Sequence, residues 1–218
     1  MPEAVLIDLD GTFADTAPDL SAALNRLRAD LGLSPASYAA LRPFVSQGVR
    51  GMLHAGLDMK PDHRDYREFY ERFLVHYQQA LCVETVLFAG IDELVCALEA
   101  QGIAWGIVTN KSQRFTLPLM EALGYARRAA CIVSGDSSTR AKPHARPMHL
   151  ACALAGCRPE HTLFVGDDLR DIQAGQAAGM ITIAAAYGYL GDGGAVEDWG
   201  ADHQVDHPSE IARLTSIA

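Results

Sequence analysis

Asp8 and Asp10 stand two residues apart where the first apolar run of the chain, Ala4, Val5, Leu6 and Ile7, comes to an end. In an extended chain the side-chain direction repeats every second residue, so both carboxylates can address one point beyond the run. Two acids aimed at one point repel, and each resists ionisation unless positive charge lies between them. The pair therefore calls for a divalent cation, or for a nucleophile beside a proton donor. Three later runs end in groups of related chemistry. The run from Ala104 to Thr109 ends in Thr109, Asn110 and Lys111, where a hydroxyl and backbone amides suit phosphate or carboxylate oxygens. Lys142, followed by Pro143, lies in the loop after the third run, 131–134. Residues 163–165 lead into Gly166, Asp167 and Asp168, with Asp171 one helical turn further on. Singly, each has an ordinary reading: turn chemistry, a solvated loop lysine, a helix N-cap. As a set at the ends of parallel strands spaced about 4.8 Å apart, they can meet in one pocket.

The runs themselves are short, continuous and partly β-branched, which suits strands buried on both faces. Between them, apolar residues recur at helical spacing and stop at glycine: Ile91 to Leu98 before Gly102, Phe115 to Leu123 before Gly124, Pro147 to Ala155 before Gly156, Ile172 to Ala178 before Gly179. Residues 181–185 form a further strand. The pattern predicts an α/β fold with a doubly wound parallel sheet, which binds ligands beyond the carboxyl ends of its strands. Residues 17–84 break the alternation. Leu20, Leu24, Leu27 and Leu31 share a helical stripe, Ser34 before Pro35 signals a second helix start, a third helix runs through 49–55, and Tyr66, Phe69, Tyr70, Phe73 and Tyr77 mark a fourth. That aromatic stripe reads as helix packing in preference to a ligand box. The expected organisation is a core of residues 1–16 and 85–218, with 17–84 inserted as a small helical cap above the ligand crevice.

With 218 residues, 49% of them hydrophobic, the chain can bury a sizeable core. Its net charge of −9 argues against nucleic-acid binding and against anionic membranes, both of which need a basic footprint. No apolar run is long enough to span a bilayer. The first strand starts within a few residues of Met1, which leaves no room for a signal peptide. Five cysteines, Cys82, Cys96, Cys131, Cys152 and Cys157, show no zinc or redox spacing and read as reduced thiols of a cytoplasmic protein. His203 and His207 read as surface turn residues.

Asp8-Leu9-Asp10-Gly11-Thr12-Phe13-Ala14-Asp15-Thr16, then Thr109, then Lys142-Pro143, then Gly166-Asp167-Asp168 with Asp171, resemble in order the four motifs of the haloacid dehalogenase superfamily. The resemblance covers nearly the whole chain, and the helical insertion is similar to that family's small cap. Within the superfamily the chain resembles the phosphoglycolate phosphatases. Residues 105–115 and 163–172, Tyr187-Gly188-Tyr189 and Trp199-Gly200-Ala201-Asp202 are similar to the bacterial N-acetylmuramic acid 6-phosphate phosphatases of cell-wall recycling.

The resemblance implies a Mg2+-dependent phosphomonoesterase working through an aspartyl phosphate. Asp8 and Asp167 would ligate the metal through carboxylates and Asp10 through its backbone carbonyl, with Asp168 supporting metal-bound water. Asp8 would be the nucleophile and Asp10 the acid and base, while Thr109, Asn110 and Lys142 would hold the phosphoryl oxygens. Dehalogenases lack an acid at the position of Asp10, since a halide leaves without a proton. A sugar phosphomutase or a non-catalytic phospho-ligand-binding module remain as alternatives. The implied partner is a small-molecule phosphate monoester, handled by a monomer or homodimer. Substrate choice would fall to the turn 46–51, with Gln47 among its residues, where Gly48 and Gly51 free the backbone and Arg50 either meets a carboxylate or is simply solvated. Arg114 and Arg146 are weaker candidates of the same kind.

Overall fold

The computed structural model describes residues 1–215. Its centre is β1 (Ala4–Ile7), whose side chains are buried on both faces as its unbroken apolar sequence requires. β1 belongs to a six-stranded sheet with β4 (Ala104–Val108), β5 (Cys131–Val133), β6 (Thr162–Gly166), β7 (Ile181–Ala185) and β8 (His203–Val205), in the order β5-β4-β1-β6-β7-β8. Every pairing is parallel. The chain builds outward on one side of β1, through β4 to β5, and then crosses back to β6 on the other side. β1 therefore stands at the topological switch point, where crossovers diverge and leave a crevice.

Helices α5 (Ile91–Ala100), α6 (Gln113–Ala122), α7 (Arg146–Ala155), α8 (Leu169–Ala178) and α9 (Ser209–Leu214) join or follow these strands. One core layer gathers Val5, Ile7, Leu94, Leu98, Ile107 and Val165, and another gathers Leu6, Val108, Met148, Phe164 and Ala174. Phe13 stacks on Trp105, with ring centroids 5.7 Å apart, and so seats the loop after β1 on the sheet.

The four predicted helices of residues 17–84 form α1 (Ala17–Asp30), α2 (Tyr38–Leu41), α3 (Gly48–Leu57) and α4 (Tyr66–Gln79). They share a core of Leu20, Leu24, Leu27, Met52, Leu53 and Phe73. A short antiparallel ribbon, β2 (Ala14–Asp15) with β3 (Val86–Leu87), forms where the chain leaves the sheet and returns. Buried Asp19 fastens this crossing by accepting hydrogen bonds from Val83 N, Thr85 N and Thr85 Oγ1 at 2.7–2.9 Å.

Two details differ from the sequence reading. The second helix starts at Tyr38, not after Ser34, because Ser37 supplies the cap by accepting from Ala40 N. His203 lies in β8 and not in a turn; an exposed, polar edge strand carries no apolar run to announce it.

Candidate active site

Ile7 is in register with Ile107 of β4 and Val165 of β6, so the residues that follow all three strands emerge side by side. Asp8 is buried directly beyond β1, and its Oδ1 lies 2.7 Å from Nζ of Lys142. The same ammonium meets Oδ1 of Asp171 at 2.6 Å and donates to the carbonyl of Val108 at 2.9 Å. The ammonium thus has three close neighbours, two of them carboxylates. Burial pulls the Lys142 pKa down, but Asp171 and Asp8 outweigh it and hold the value above the ordinary lysine range.

Asp167 completes the group. It accepts from Thr12 Oγ1 and from Tyr189 N, both at 2.8 Å. Two glycines make room for it. A Cβ on Gly11, whose φ is +87°, would come 2.1 Å from Asp167 Oδ2, and one on Gly188 would come 2.2 Å from Asp167 Cβ. Asp8, Asp167 and Asp171 each bring one oxygen to within 4.8 Å of the others. Burial and mutual repulsion push all three pKa values up, Asp171 to about 7. Three buried carboxylates share one ammonium, so the cluster carries surplus negative charge with oxygen-only donors. That is the donor chemistry of a hard divalent cation such as Mg2+.

The carboxylate of Asp10 turns elsewhere. Its Oδ1 accepts from Lys111 Nζ at 2.7 Å and from Thr16 Oγ1 at 2.6 Å. Asp168 caps α8 in a reciprocal capping box with Asp171, and its two oxygens pair with Nε and Nη2 of Arg170 at 2.7 and 2.8 Å. That guanidinium holds the Asp168 carboxyl below its usual range, overcoming the opposing effect of burial. Arg170 also donates to the carbonyl of Ser46 at 2.7 Å, which straps the turn before α3 to α8. Thr109 is buried, and its hydroxyl oxygen accepts from Lys111 N at 3.1 Å. Asn110 clasps the backbone of Lys142 in both directions, at 2.9 and 3.1 Å. Its side chain thus serves the lysine, and its main-chain N–H stays available to a phosphoryl oxygen.

A cavity of about 310 Å3 opens above this group. Asp8, Asp10, Thr109, Asn110, Lys142, Asp167 and Asp168 border it from the sheet, and Gln47, Gly48 and Arg50 border it from α3 and the turn before it. Arg50 is exposed and makes no ion pair among the described residues. Arg114 and Arg146 lie outside the cavity, bonded to Gln78 and Thr139. The aromatic stripe of α4 does more than pack: Tyr70, Leu74 and Tyr77, with Phe115 of α6, form an apolar wall. Sequence reasoning also left Lys111 and Arg170 without a role. The signal for Lys111 was its place two residues after Thr109, on the same alternation that pairs Asp8 with Asp10.

Comparison with known proteins places this geometry. The family model for haloacid dehalogenase-like hydrolases matches residues 5–185. The chain belongs to that family. An N-acetylmuramic acid 6-phosphate phosphatase of Pseudomonas aeruginosa is 44% identical over 209 residues, covering 96% of this chain and 92% of the relative. A phosphoglycolate phosphatase of Xanthomonas campestris is 39% identical over 214 residues, covering 96% and 95%. Among solved structures, a predicted phosphoglycolate phosphatase from Haemophilus somnus superimposes with a TM-score of 0.86 at 27% identity, covering 98% of this chain and 97% of that one. This member of the haloacid dehalogenase-like hydrolases is accordingly an enzyme, a phosphatase acting on phosphate esters.

Proposed function

We propose that the protein is a Mg2+-dependent phosphomonoesterase that cleaves a small carboxylate-bearing phosphate ester through an aspartyl phosphate on Asp8, with N-acetylmuramic acid 6-phosphate preferred over phosphoglycolate. The observation that carries the reading is the Lys142 ammonium bridging Asp8 and Asp171 beside Asp167 on the floor of the cavity. Two further observations support the substrate preference. The relative with 44% identity is named for that amino sugar ester, and a cavity of about 310 Å3 with an apolar wall suits a substituted sugar better than a two-carbon acid.

The chemistry follows from charge. A phosphate monoester is a dianion, and a carboxylate about 4 Å away pays roughly 4 kcal/mol for each pair of unit charges at an effective dielectric near 20. Asp8, Asp167 and the backbone carbonyl of Asp10 would hold Mg2+, which would supply neutralising charge for both the nucleophile and the phosphoryl oxygens. Lys142 fixes Asp8 in position and adds its own charge. Asp8 attacks phosphorus while the bond to the ester oxygen breaks, and Asp10 delivers a proton to that leaving oxygen. Asp10 then takes a proton from the water that attacks phosphorus and frees Asp8. Proton transfers of this kind contribute ~10² to 10⁴ in rate. The Thr109 hydroxyl and the neighbouring N–H groups hold the phosphoryl oxygens as their charge redistributes.

In this reading residues 1–16 and 85–218 are the catalytic core and 17–84 the cap that selects the ester. The enzyme acts in the cytoplasm as a monomer or homodimer, without nucleic-acid or membrane partners. Five free cysteines support a reducing compartment, and no described helix is long and apolar enough to cross a membrane. The test is parallel measurement of kcat/KM on N-acetylmuramic acid 6-phosphate, phosphoglycolate and a hexose 1-phosphate with Mg2+ present. The first is expected to be the best substrate. Faster cleavage of phosphoglycolate would overturn the substrate preference, and rapid isomerisation of the hexose 1-phosphate would replace the hydrolase with a mutase.

A further inference from the structure

Asp10 has one oxygen occupied and one without a partner. Oδ1 takes both hydrogen bonds, from Lys111 Nζ at 2.7 Å and Thr16 Oγ1 at 2.6 Å, while Oδ2 makes none among the described residues. Both donors sit on segments that touch the inserted helices. Thr16 immediately precedes α1 and is its N-cap position, yet its hydroxyl goes to Asp10 and leaves the helix uncapped by a side chain. Lys111 follows β4, but its ammonium lies 4.8 Å from the centroid of the Tyr77 ring on α4. The lysine side chain is 8% exposed, packed between the sheet loop and α4 at the edge of the cavity. Tyr77 is held there by packing, 5.4 Å from the ring of Phe115. A buried ammonium needs both partners, because either one alone would leave its desolvation poorly compensated.

We propose that Lys111 is a positioning residue for proton transfer: it pins Oδ1 of Asp10, leaves Oδ2 free for the leaving oxygen, and does so only while Tyr77 of α4 is seated over it. The inference rests on the role of Asp10 given above and adds a residue that reports the seating of α4 to the reacting atoms. Lys111 moves no proton itself. Its effect falls on the step in which the ester oxygen leaves, and it scales with how much that oxygen needs a proton.

The leaving group supplies the test. kcat/KM covers events up to the first bond cleavage, so it is measured with Mg2+ on a hexose 6-phosphate, whose alkoxide requires a proton, and on 4-nitrophenyl phosphate, whose phenolate scarcely does. For Lys111→Met the value is expected to fall about 10²-fold further on the sugar ester than on the aryl ester, within the span of acid–base effects. Tyr77→Leu, which keeps Lys111 and removes the ring, is expected to shift the ratio in the same direction by a smaller factor, and Tyr77→Phe to restore it. Equal losses on both esters for Lys111→Met and Tyr77→Leu would overturn the inference and leave Lys111 a structural cation. A wild-type enzyme that cleaves neither ester, nor N-acetylmuramic acid 6-phosphate, would overturn the phosphatase reading together with it, which separates the two failures.

Discussion

The floor of the cavity and its roof are built by opposite means. On the floor, Asp8, Asp167, Asp171 and Lys142 are all buried, and each is held by the backbone or by another charged group. On the roof, Gln47 and Gly48 are half-buried, Arg50 is exposed, and the wall is a face of α4 whose other neighbours are apolar. Reaction chemistry needs groups fixed against their own repulsion, which only a rigid buried frame provides. Selectivity needs surface that can vary without disturbing that frame. The contrast predicts that damage to the floor removes catalysis outright, and damage to the roof changes which ester is used.

The floor breaks first at the proposed nucleophile. Asp8→Asn should lower kcat by at least about 10⁴-fold on every phosphate ester, since the proposed covalent intermediate forms on that carboxylate. Chelation comes next: treatment with EDTA should abolish phosphate release, and added Mg2+ should restore it. Lys142→Met should cost about 10²- to 10³-fold in kcat, the usual scale for one preorganised charge at a reacting centre. A loss seen only in KM would instead make the lysine a simple binding group.

The roof answers to a different measurement. Arg50→Ala should raise KM about tenfold for a carboxylate-bearing ester, the scale of one charged hydrogen bond, and change it less for a hexose 6-phosphate that lacks the carboxylate. Equal effects on the two would return Arg50 to the solvated class. The smallest expected effect concerns stability. Burial raises the Asp171 pKa from 3.8 to about 7, so the folded protein keeps a proton there that the unfolded chain has released. The associated stability is full below about pH 3.8 and is lost as pH rises through about 7. In metal-free protein, urea midpoints should decline over that window, and Asp171→Asn should flatten the decline.

The same division decides what the sequence made legible. The strands β1, β4, β6 and β7 announce themselves because a strand buried on both faces must be continuously apolar, and Asp8, Thr109 and Asp167 stand where the first three of those runs stop. β8 and the two-residue ribbon β2–β3 leave no such trace, being short and partly exposed. Asp171 sits a helical turn beyond its strand, and its part in seating Lys142 depends on a contact across 29 residues of sequence that no local pattern encodes. Tyr77 is ambiguous for a physical reason. A residue that packs against Phe73 and Phe115 on one side and borders a cavity on the other has the same helical spacing as one that only packs.

The account turns on a bond between Asp8 and phosphorus. A single turnover quenched in acid within the first milliseconds, followed by peptide mass spectrometry, tests it directly. The predicted result is a phosphate adduct on the peptide that carries Asp8, transient in the native enzyme and absent in Asp8→Asn. Product phosphate forming with no adduct at any quench time, or with the adduct on another residue, would contradict it.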